Sequence, residues 1–250
     1  MLKKINIKDI KQIALKAGKA IMDIYEKDFT IEYKDDNSPL TEADLKSNKI
    51  ICDSLKKLYP EIPILSEENK EVSYSIRKSW EYYWCIDPID GTKEFIKKND
   101  EFTVNIALIC KNIPVIGVVY APALKLMYYS KQGYGAYKNN IKLPIEREDN
   151  KLIIVASRSH MSDATQKFVD NIKTEKEKEL ISIGSSLKLC LIAEGKADIY
   201  PRLAPTMEWD TAAAHAIISE SGKRVVLNDD INQELYYNKT NLLNAWFIAN

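Results

Sequence analysis

The chain has 250 residues, of which 45% are hydrophobic and 29% charged, and 36 basic residues balance 36 acidic ones. This composition excludes wholesale disorder and fits one large or two small domains, while zero net charge argues against a general nucleic-acid binder. No apolar run approaches the roughly 20 residues of a membrane span, and the first 18 residues lack the apolar core of a signal peptide. We therefore expect a cytoplasmic protein, with its four widely spaced cysteines as reduced core thiols.

The first half of the chain begins with two predicted helices. Apolar residues recur at helical spacing over 10–24, which indicates an amphipathic helix. A second helix opens at Thr41, with Asp44 as the capping-box partner, and its inner face is predicted to include Leu45, Cys52, Leu55 and Leu58. Strands are then predicted over 62–65, 82–86, 102–110, 115–120 and 126–130.

The second half of the chain alternates between the two kinds of element. Strands or extended segments are predicted over 152–156, 180–183, 197–201, 225–227 and 246–249. Helices are predicted over 164–172, 186–194 and 211–219. This alternation predicts a layered α/β architecture, with a boundary in the charged stretch 138–150 that divides the chain into residues 1–140 and 141–250.

The most informative stretch is Asp-Pro-Ile-Asp-Gly-Thr at 87–92. Two carboxylates, Asp87 and Asp90, follow an apolar strand, and Pro88 stiffens the link between them. Oxygen ligands without histidine or cysteine favour a hard cation such as Mg²⁺. The amides after Gly91, at a predicted helix start, would form an anion site beside it. The alternative for the two aspartates is an ordinary capped turn.

Other carboxylates are placed similarly. Glu67 and Glu68 follow their own predicted strand, and Asp210 follows Trp209 at a predicted helix start. Each has a plain structural alternative: a solvated loop charge for Glu68, a helix N-cap for Asp210, and capping alone for Asp44.

In combination these motifs resemble the inositol monophosphatase superfamily of Mg²⁺-dependent phosphatases. The resemblance rests on Asp-Pro-Ile-Asp-Gly-Thr, the upstream Ser-Glu-Glu and the downstream Trp-Asp. Further segments resemble its 3'(2'),5'-bisphosphate nucleotidases of the CysQ type, namely 90–96, 101–109, 117–122, 157–160, 184–188 and 200–202. The stretch 228–240 does not match. The resemblance implies the layered αβαβα sandwich of the inositol monophosphatase and fructose bisphosphatase type, with metals between its halves.

The resemblance also implies a set of metal ligands. Two or three Mg²⁺ ions would be bound by Glu67, Asp87, the backbone carbonyl of Ile89, Asp90 and Asp210. Most of these ligands lie in the half 1–140, and the half 141–250 would supply the last ligand and the nucleotide contacts. The ions would offset the mutual repulsion of the carboxylates and attract a phosphate dianion.

The implied reaction is direct attack of a metal-activated water on phosphorus. Catalytic roles fall to Glu67, Asp44 and Thr92, of which Asp44 and Thr92 position and deprotonate the water. The implied substrate is 3'-phosphoadenosine 5'-phosphate or its sulfated form, hydrolysed to the 5'-phosphate or phosphosulfate product, with inhibition by Li⁺.

Substrate contacts are implied for a wider set of residues, in which Lys188 and Arg202 hold the 5'-phosphate and His160 contacts the second phosphate or the sugar. The set is Gly91, Thr92, Ser157, His160, Gly184, Lys188, Arg202 and Asp210. Arg158 is either a contact or a surface charge, and His215 is interpreted as a packing residue.

Two other functions remain open at this level. An inositol or sugar phosphatase would use the same metal site, and a non-catalytic nucleotide sensor would use the same fold. Relatives include monomers and homodimers, so the oligomeric state is left open. Some relatives associate with the inner face of a membrane, but no amphipathic anchor is found here; the expected partner is a small nucleotide bisphosphate rather than nucleic acid.

Overall fold

The computed structural model describes residues 1–27, 31–33, 39–148, 150–156 and 162–250. Within these ranges the helices are α1 (Ile7–Tyr25), α2 (Glu42–Leu58), α3 (Tyr74–Arg77), α4 (Thr92–Ile96), α5 (Asp163–Asn171), α6 (Leu187–Glu194) and α7 (Glu208–Glu220). The strands are β1 (Ile31–Tyr33), β2 (Pro39–Thr41), β3 (Ile64–Ser66), β4 (Tyr82–Asp90), β5 (Thr103–Cys110), β6 (Ile113–Ala121), β7 (Leu126–Lys131), β8 (Ala136–Lys138), β9 (Ile141–Lys142), β10 (Lys151–Ala156), β11 (Glu177–Ser182), β12 (Tyr200–Arg202), β13 (Val225–Leu227) and β14 (Phe247–Ala249).

The centre of the molecule is a seven-stranded sheet whose strands follow chain order from β3 to β9. The β3–β4 pair is parallel and every later pair is antiparallel. Strands β4, β5 and β6 are buried along nearly their whole length. Such continuous burial requires cover on both faces of the sheet, which explains their unbroken apolar runs.

Helices α1 and α2 cover one face of this sheet. Asn6 caps α1 by accepting a hydrogen bond from the backbone N–H of Lys8. The capping box of α2 is present, as predicted. The predicted inner face of α2 is correct for Cys52 and Leu55 and wrong for Leu45 and Leu58, which are 49% and 47% exposed.

The burial pattern along α2 explains that difference. Its buried stripe includes Ala43, Ser47, Ile51 and Leu55, one at every fourth position. Leu45 is two positions from both Ala43 and Ser47 and therefore lies nearly half a turn away from them, since successive helical residues are about 100° apart. Leu58 is the final residue of α2 and is also exposed, so hydrophobic character alone assigned two residues too many to the core.

Helices α6 and α7 cover the opposite face, and α7 lies very close to the strands. A Cβ added to Gly117 of β6 would overlap the carbonyl oxygen of Ala213 in α7. Small side chains on both elements permit this approach, which explains the run of three alanines after Thr211. The close packing holds the start of α7 against the central sheet.

A second sheet lies beyond α6 and α7. Strands β10 and β11 pair in parallel, and β12, β14 and β13 form an antiparallel group. An isolated bridge between Ile154 and Ile199 joins the two groups, and α5 packs against β12. The layers therefore alternate, and the predicted layered αβαβα arrangement is confirmed. The division of the chain at residue 140 stays a prediction.

Two smaller predictions concern the cysteines and membrane spans. Cys52, Cys85 and Cys190 are buried, Cys110 is partly buried, and all four are free thiols. Across the residues described, no helix is long and apolar enough to cross a bilayer.

Candidate active site

Three of the predicted acidic residues meet where β3 and β4 end. The parallel pairing places Glu67 beside β4, and its backbone N–H donates to the carbonyl of Ile86 at 3.2 Å. The register of β4 against β5 shifts between Asp87 and Asp90. Asp87 Oδ1 accepts the backbone N–H of Ile89 at 3.0 Å. The irregular strand end thus turns both aspartates toward the same side of the sheet edge as Glu67.

Gly91 links this strand end to α4. Its φ of 91° lies in the left-handed region, and an added Cβ would come within 3.1 Å of the carbonyl oxygen of Glu101. Only glycine satisfies both constraints without strain. The turn starts α4 at Thr92, two positions after the second aspartate.

Asp44 and Thr92 are brought together from helices that are 48 residues apart in the chain. Asp44 Oδ2 accepts hydrogen bonds from the backbone N–H and the hydroxyl of Thr41, at 2.8 and 2.6 Å. Its other oxygen, Oδ1, lies 3.3 Å from the hydroxyl of Thr92, which is also 3.2 Å from the carbonyl oxygen of Ile89. Asp44 therefore caps α2 and contacts Thr92 at the same time.

Asp210 reaches the same place from α7. The helix begins at Glu208, three residues before the predicted start, so Asp210 is its third residue and not its N-cap. Asp210 Oδ2 accepts the backbone N–H of Met207 at 2.8 Å, which satisfies one of the unpaired amides of the first turn. The plain N-cap alternative is therefore wrong.

These side chains line one cleft with a volume of about 400 Å³. Its lining combines every residue predicted to bind metal with residues predicted to contact the water or the phosphate. The lining residues are Glu67, Asp87, Ile89, Asp90, Gly91, Thr92, Lys93, Glu94, Pro205 and Asp210. Asp44 lies behind this wall, 1% exposed, and reaches it through Thr92.

The carboxylates of this acidic cleft strongly disfavour one another's charge. Burial, followed by the negative charge of Glu67, raises the pKa of Asp87 well above its usual value. Burial and the charge of Asp90 raise the pKa of Asp210 in the same way. Burial also raises the pKa of Asp90 to about 6, against the opposing effect of the Lys188 ammonium.

The donor set fits a hard metal ion. The candidate ligands are carboxylate and carbonyl oxygens only, which suit Mg²⁺ better than soft metals. The raised pKa values indicate a site that lacks sufficient positive charge of its own. As they stand, no three Asp, Glu, His or Cys side chains among the residues described form a group that could hold an ion.

A second, cationic compartment of about 160 Å³ adjoins the acidic cleft. Lys188 and Arg202 line it, and five residues line both spaces, namely Asp90, Gly91, Lys93, Glu94 and Asp210. The two parts are therefore continuous; the acidic cleft is lined mainly by carboxylates, whereas the compartment combines three carboxylates with Lys93, Lys188 and Arg202.

The cations of this compartment lie near carboxylates, yet some buried donors there lack a hydrogen-bond partner among the described residues. Lys188 is 9% exposed, and its Nζ donates to the carbonyl of Ser185 at 2.7 Å. Burial lowers the pKa of Lys188 to about 8, although the charge of Asp90 opposes the shift. Arg202 Nε and the hydroxyl of Ser185 are buried without a hydrogen-bond partner among the described residues. Unpaired buried donors of this kind suit an anionic ligand.

The remaining predicted contacts have different outcomes. Gly184 is buried beside the compartment, and its N–H donates to Glu101 Oε2 at 2.8 Å. Ser157, Arg158 and His160 lie outside the described residues. His215 is buried in α7 with its Nδ1 3.0 Å from the Tyr237 hydroxyl, which confirms its interpretation as a packing residue.

One structural support of the cleft was not predicted. Glu208 is fully buried at the start of α7 and accepts hydrogen bonds from the Tyr83 hydroxyl and from the backbone N–H of Asn238. Its Oε1 pairs with Lys239 Nζ at 2.7 Å. The stretch 228–240, which the sequence motifs left unexplained, thus anchors the helix that carries Asp210. The signal in the sequence was weak, because Glu208 and its partner Lys239 are 31 residues apart.

Comparison with known proteins agrees with the family that the site residues predict. The model of the inositol monophosphatase family matches residues 2–246. The chain belongs to the inositol monophosphatase family. Within that family it is 46% identical over 224 residues to the 3'(2'),5'-bisphosphate nucleotidase CysQ of Salmonella typhimurium, covering 88% of this chain and 89% of that protein.

Two further relatives extend the comparison. The 3'(2'),5'-bisphosphate nucleotidase CysQ of Haemophilus influenzae is 36% identical over 249 residues, with 94% of this chain and 89% of that protein covered. The crystal structure of CysQ from Bacteroides thetaiotaomicron, described as a bacterial member of the inositol monophosphatase family, superposes with a TM-score of 0.86. It is 45% identical, and the match covers 95% of this chain and 93% of that one. The predicted superfamily and its sandwich type are confirmed.

Proposed function

We propose that this chain is a 3'(2'),5'-bisphosphate nucleotidase that hydrolyses the 3'-phosphate of 3'-phosphoadenosine 5'-phosphate, releasing AMP and phosphate. The identity of 45–46% to CysQ nucleotidases over most of the chain supports this function. Members of this family are metal-dependent phosphatases.

The observation that carries the substrate assignment is the continuity of the two spaces. A bisphosphate needs one site where its scissile phosphate is attacked and another where its second phosphate is bound. The acidic cleft suits the first when cations are present, and the compartment of Lys188 and Arg202 suits the second. A monophosphate substrate would leave the buried Arg202 Nε and Ser185 hydroxyl of the compartment without a hydrogen-bond partner among the described residues.

The proposed metal ligands are Glu67, Asp87, the carbonyl of Ile89, Asp90 and Asp210, for two or three Mg²⁺ ions. Bound there, the ions supply positive charge to the phosphate oxygens and lower the pKa of a coordinated water.

The proton path is assigned to residues of the chain. Thr92 Oγ1 accepts a proton from the attacking water while its own proton is directed to Asp44 Oδ1, 3.3 Å away. Asp44 is suited to this role because its other oxygen is held by two hydrogen bonds from Thr41. Glu67, at the neighbouring strand end, orients the water from the opposite side. Gly91 places its N–H and that of Thr92 at the phosphate.

The proposed contacts to the rest of the nucleotide, away from the scissile phosphate, are Ser157, His160, Gly184, Lys188 and Arg202. The cytoplasmic location and the choice between monomer and homodimer stay predictions.

A phosphate-release panel with Mg²⁺ tests the proposal. It contains 3'-phosphoadenosine 5'-phosphate, its sulfated form, inositol monophosphate and fructose 1,6-bisphosphate. We expect kcat/KM to be highest for the adenosine bisphosphates and to vanish in EDTA. Preference for inositol monophosphate would support the alternative phosphatase, and nucleotide binding with no release from any substrate would support the sensor.

A further inference from the structure

A separate cavity lies between the start of the chain and the turn that follows β7. It has a volume of about 440 Å³, which is within the range of small-molecule sites. It is lined by Lys3, Lys4, Ile5, Asn6, Ile7, Tyr129, Lys131, Tyr134, Gly135 and Tyr137. None of these residues lines the acidic cleft or its cationic compartment. We call this space the lysine–tyrosine cavity.

The charged residues that line the lysine–tyrosine cavity are all lysines. Lys3, Lys4 and Lys131 contribute ammonium groups, and none of the described residues that line the cavity is acidic. One carboxylate reaches the edge of the cavity: Glu220 accepts the backbone N–H groups of Gly133 and of the lining residue Gly135 at 3.0 and 2.8 Å. In a chain with zero net charge, such a local excess of cations favours an anionic ligand.

One of these cations is already held in place. Lys131 Nζ donates to the carbonyl oxygen of Ile5 at 2.7 Å and lies 5.2 Å from the centre of the Tyr134 ring. The ammonium group keeps further donors for a ligand, because it has three in all. An ordered lysine loses less conformational entropy on binding than a free one.

The aromatic part of the cavity is equally ordered. Tyr129 and Tyr137 stack with centroids 5.4 Å apart at an angle of 16°, and Lys11 Nζ lies 3.7 Å from the centre of the Tyr129 ring. Tyr134 is 68% exposed beside them. The cavity thus offers rigid rings at one side and an exposed ring that is available for stacking.

We propose that the lysine–tyrosine cavity binds a nucleoside phosphate at a site distinct from the active site. The phosphate contacts Lys131 and Lys4, and the base stacks on Tyr134. Base stacking on an aromatic side chain and a lysine contact to phosphate are each favourable in water-exposed grooves. Inorganic phosphate, which has no base, would contact the lysines but would not stack on Tyr134.

Photo-crosslinking with 8-azidoadenosine 5'-phosphate tests this site, because the labelled peptide distinguishes it from the active cleft. In the intact protein we expect a label within 126–142, in addition to any label around Asp90 and Lys188. Unlabelled AMP should suppress the label within 126–142 at a concentration about tenfold lower than inorganic phosphate does.

Three variants define the chemistry of the cavity. Lys4→Met, Lys131→Met and Tyr134→Ala should each reduce the label within 126–142 by about fivefold to tenfold. Lys167→Met is the matched control, because Lys167 is an exposed lysine of α5 that does not line the cavity. It should leave the label unchanged, and the label at the active cleft should persist in every variant as evidence of folding.

Two results would overturn the proposal. One is labelling confined to the active cleft, and the other is a label within 126–142 that survives Lys4→Met and Tyr134→Ala together. Equal competition by AMP and inorganic phosphate would exclude a contribution of the base and would also contradict the assignment.

Discussion

The acidic cleft and the cationic compartment share five lining residues but are built differently. Asp87, Asp90 and Thr92 lie within six positions of one another, at the end of one strand and the start of the next helix. Lys188 and Arg202 come from α6 and β12, which are separate elements that pack directly against each other. Local chain geometry arranges the proposed chemistry, whereas long-range packing arranges the proposed recognition.

Burial also shifts pKa values in opposite directions in the two regions. Burial raises the pKa of Asp87 and Asp210, and burial lowers the pKa of Lys188 to about 8. In each region the charged form is the one that burial penalises. A cation in the cleft and a phosphate in the compartment would each relieve this penalty, so ligand binding and charge burial are linked.

The largest expected effect is on the acidic side. Asp90→Asn should lower kcat by about a thousandfold or more for every substrate, since it removes an anionic group from the proposed metal site. The melting temperature in EDTA should be equal to or above that of the wild type, because burial penalises the Asp90 charge. Turnover and melting are measured on the same preparation; near-normal turnover in a folded variant would contradict the metal assignment.

The next effect concerns the proton path and should also be independent of substrate. Thr92→Ala should lower kcat by roughly 100- to 1000-fold, with little change in KM, since it removes the hydroxyl beside Asp44. Thr92→Ser is the matched control and should restore most of the rate. Equal loss in both variants would mean that Thr92 acts through packing.

On the cationic side the effect should depend on the substrate. Lys188→Ala and Arg202→Ala should each reduce kcat/KM by roughly 10- to 150-fold for 3'-phosphoadenosine 5'-phosphate, since a charge-assisted contact is lost. Activity on a sugar monophosphate should change much less. If both activities fall equally, the two residues are structural, and the inositol phosphatase alternative is favoured.

The smallest effect is a pH dependence of stability away from both regions. Burial lowers the pKa of His215 to about 3, whereas the unfolded chain has a value near 6.5. The free energy of unfolding should therefore be unaffected by His215 above about pH 6.5 and fall by about 1.4 kcal/mol for each pH unit between about 6.5 and 3.

Urea unfolding of the wild type and of His215→Gln at pH 7 and pH 5 isolates this contribution, since the other titrating groups are common to both. The wild type should lose about 2 kcal/mol more than the variant on acidification. Identical losses would show that His215 is not buried in its neutral form.

The sequence was most informative where the signals are local. The helix over Ile7–Tyr25, the capping box of Thr41 and Asp44, and the buried strands around Asp87 were all predicted, because hydrophobic periodicity and capping involve neighbouring residues. The family and the sandwich type were predicted from motifs. The start of α7 was placed three residues too late, and the inner face of α2 was predicted correctly for Cys52 and Leu55 but not for Leu45 and Leu58, which are exposed despite their apolar side chains.

Prediction of the site shows the same difference between features set by neighbouring residues and features set by tertiary packing. The sequence singled out the acidic residues and the cations by their motifs, yet their distances were not deducible from it. That Asp44 reaches Thr92 depends on how α2 packs against the sheet, and that Arg202 Nε is buried unpaired depends on the second sheet. The roles of these residues remain predictions for the experiments above.

The sequence by itself determined the elements, the family and which side chains carry the proposed chemistry, because each depends on residues close together in the chain. Only the tertiary structure decided that the stretch 228–240 anchors α7 through Glu208, and that lysines and tyrosines from the chain start and β7 share a cavity. Such contacts join residues 30 to 130 positions apart. Their free energy depends on burial and relative orientation, which no local pattern of residues encodes.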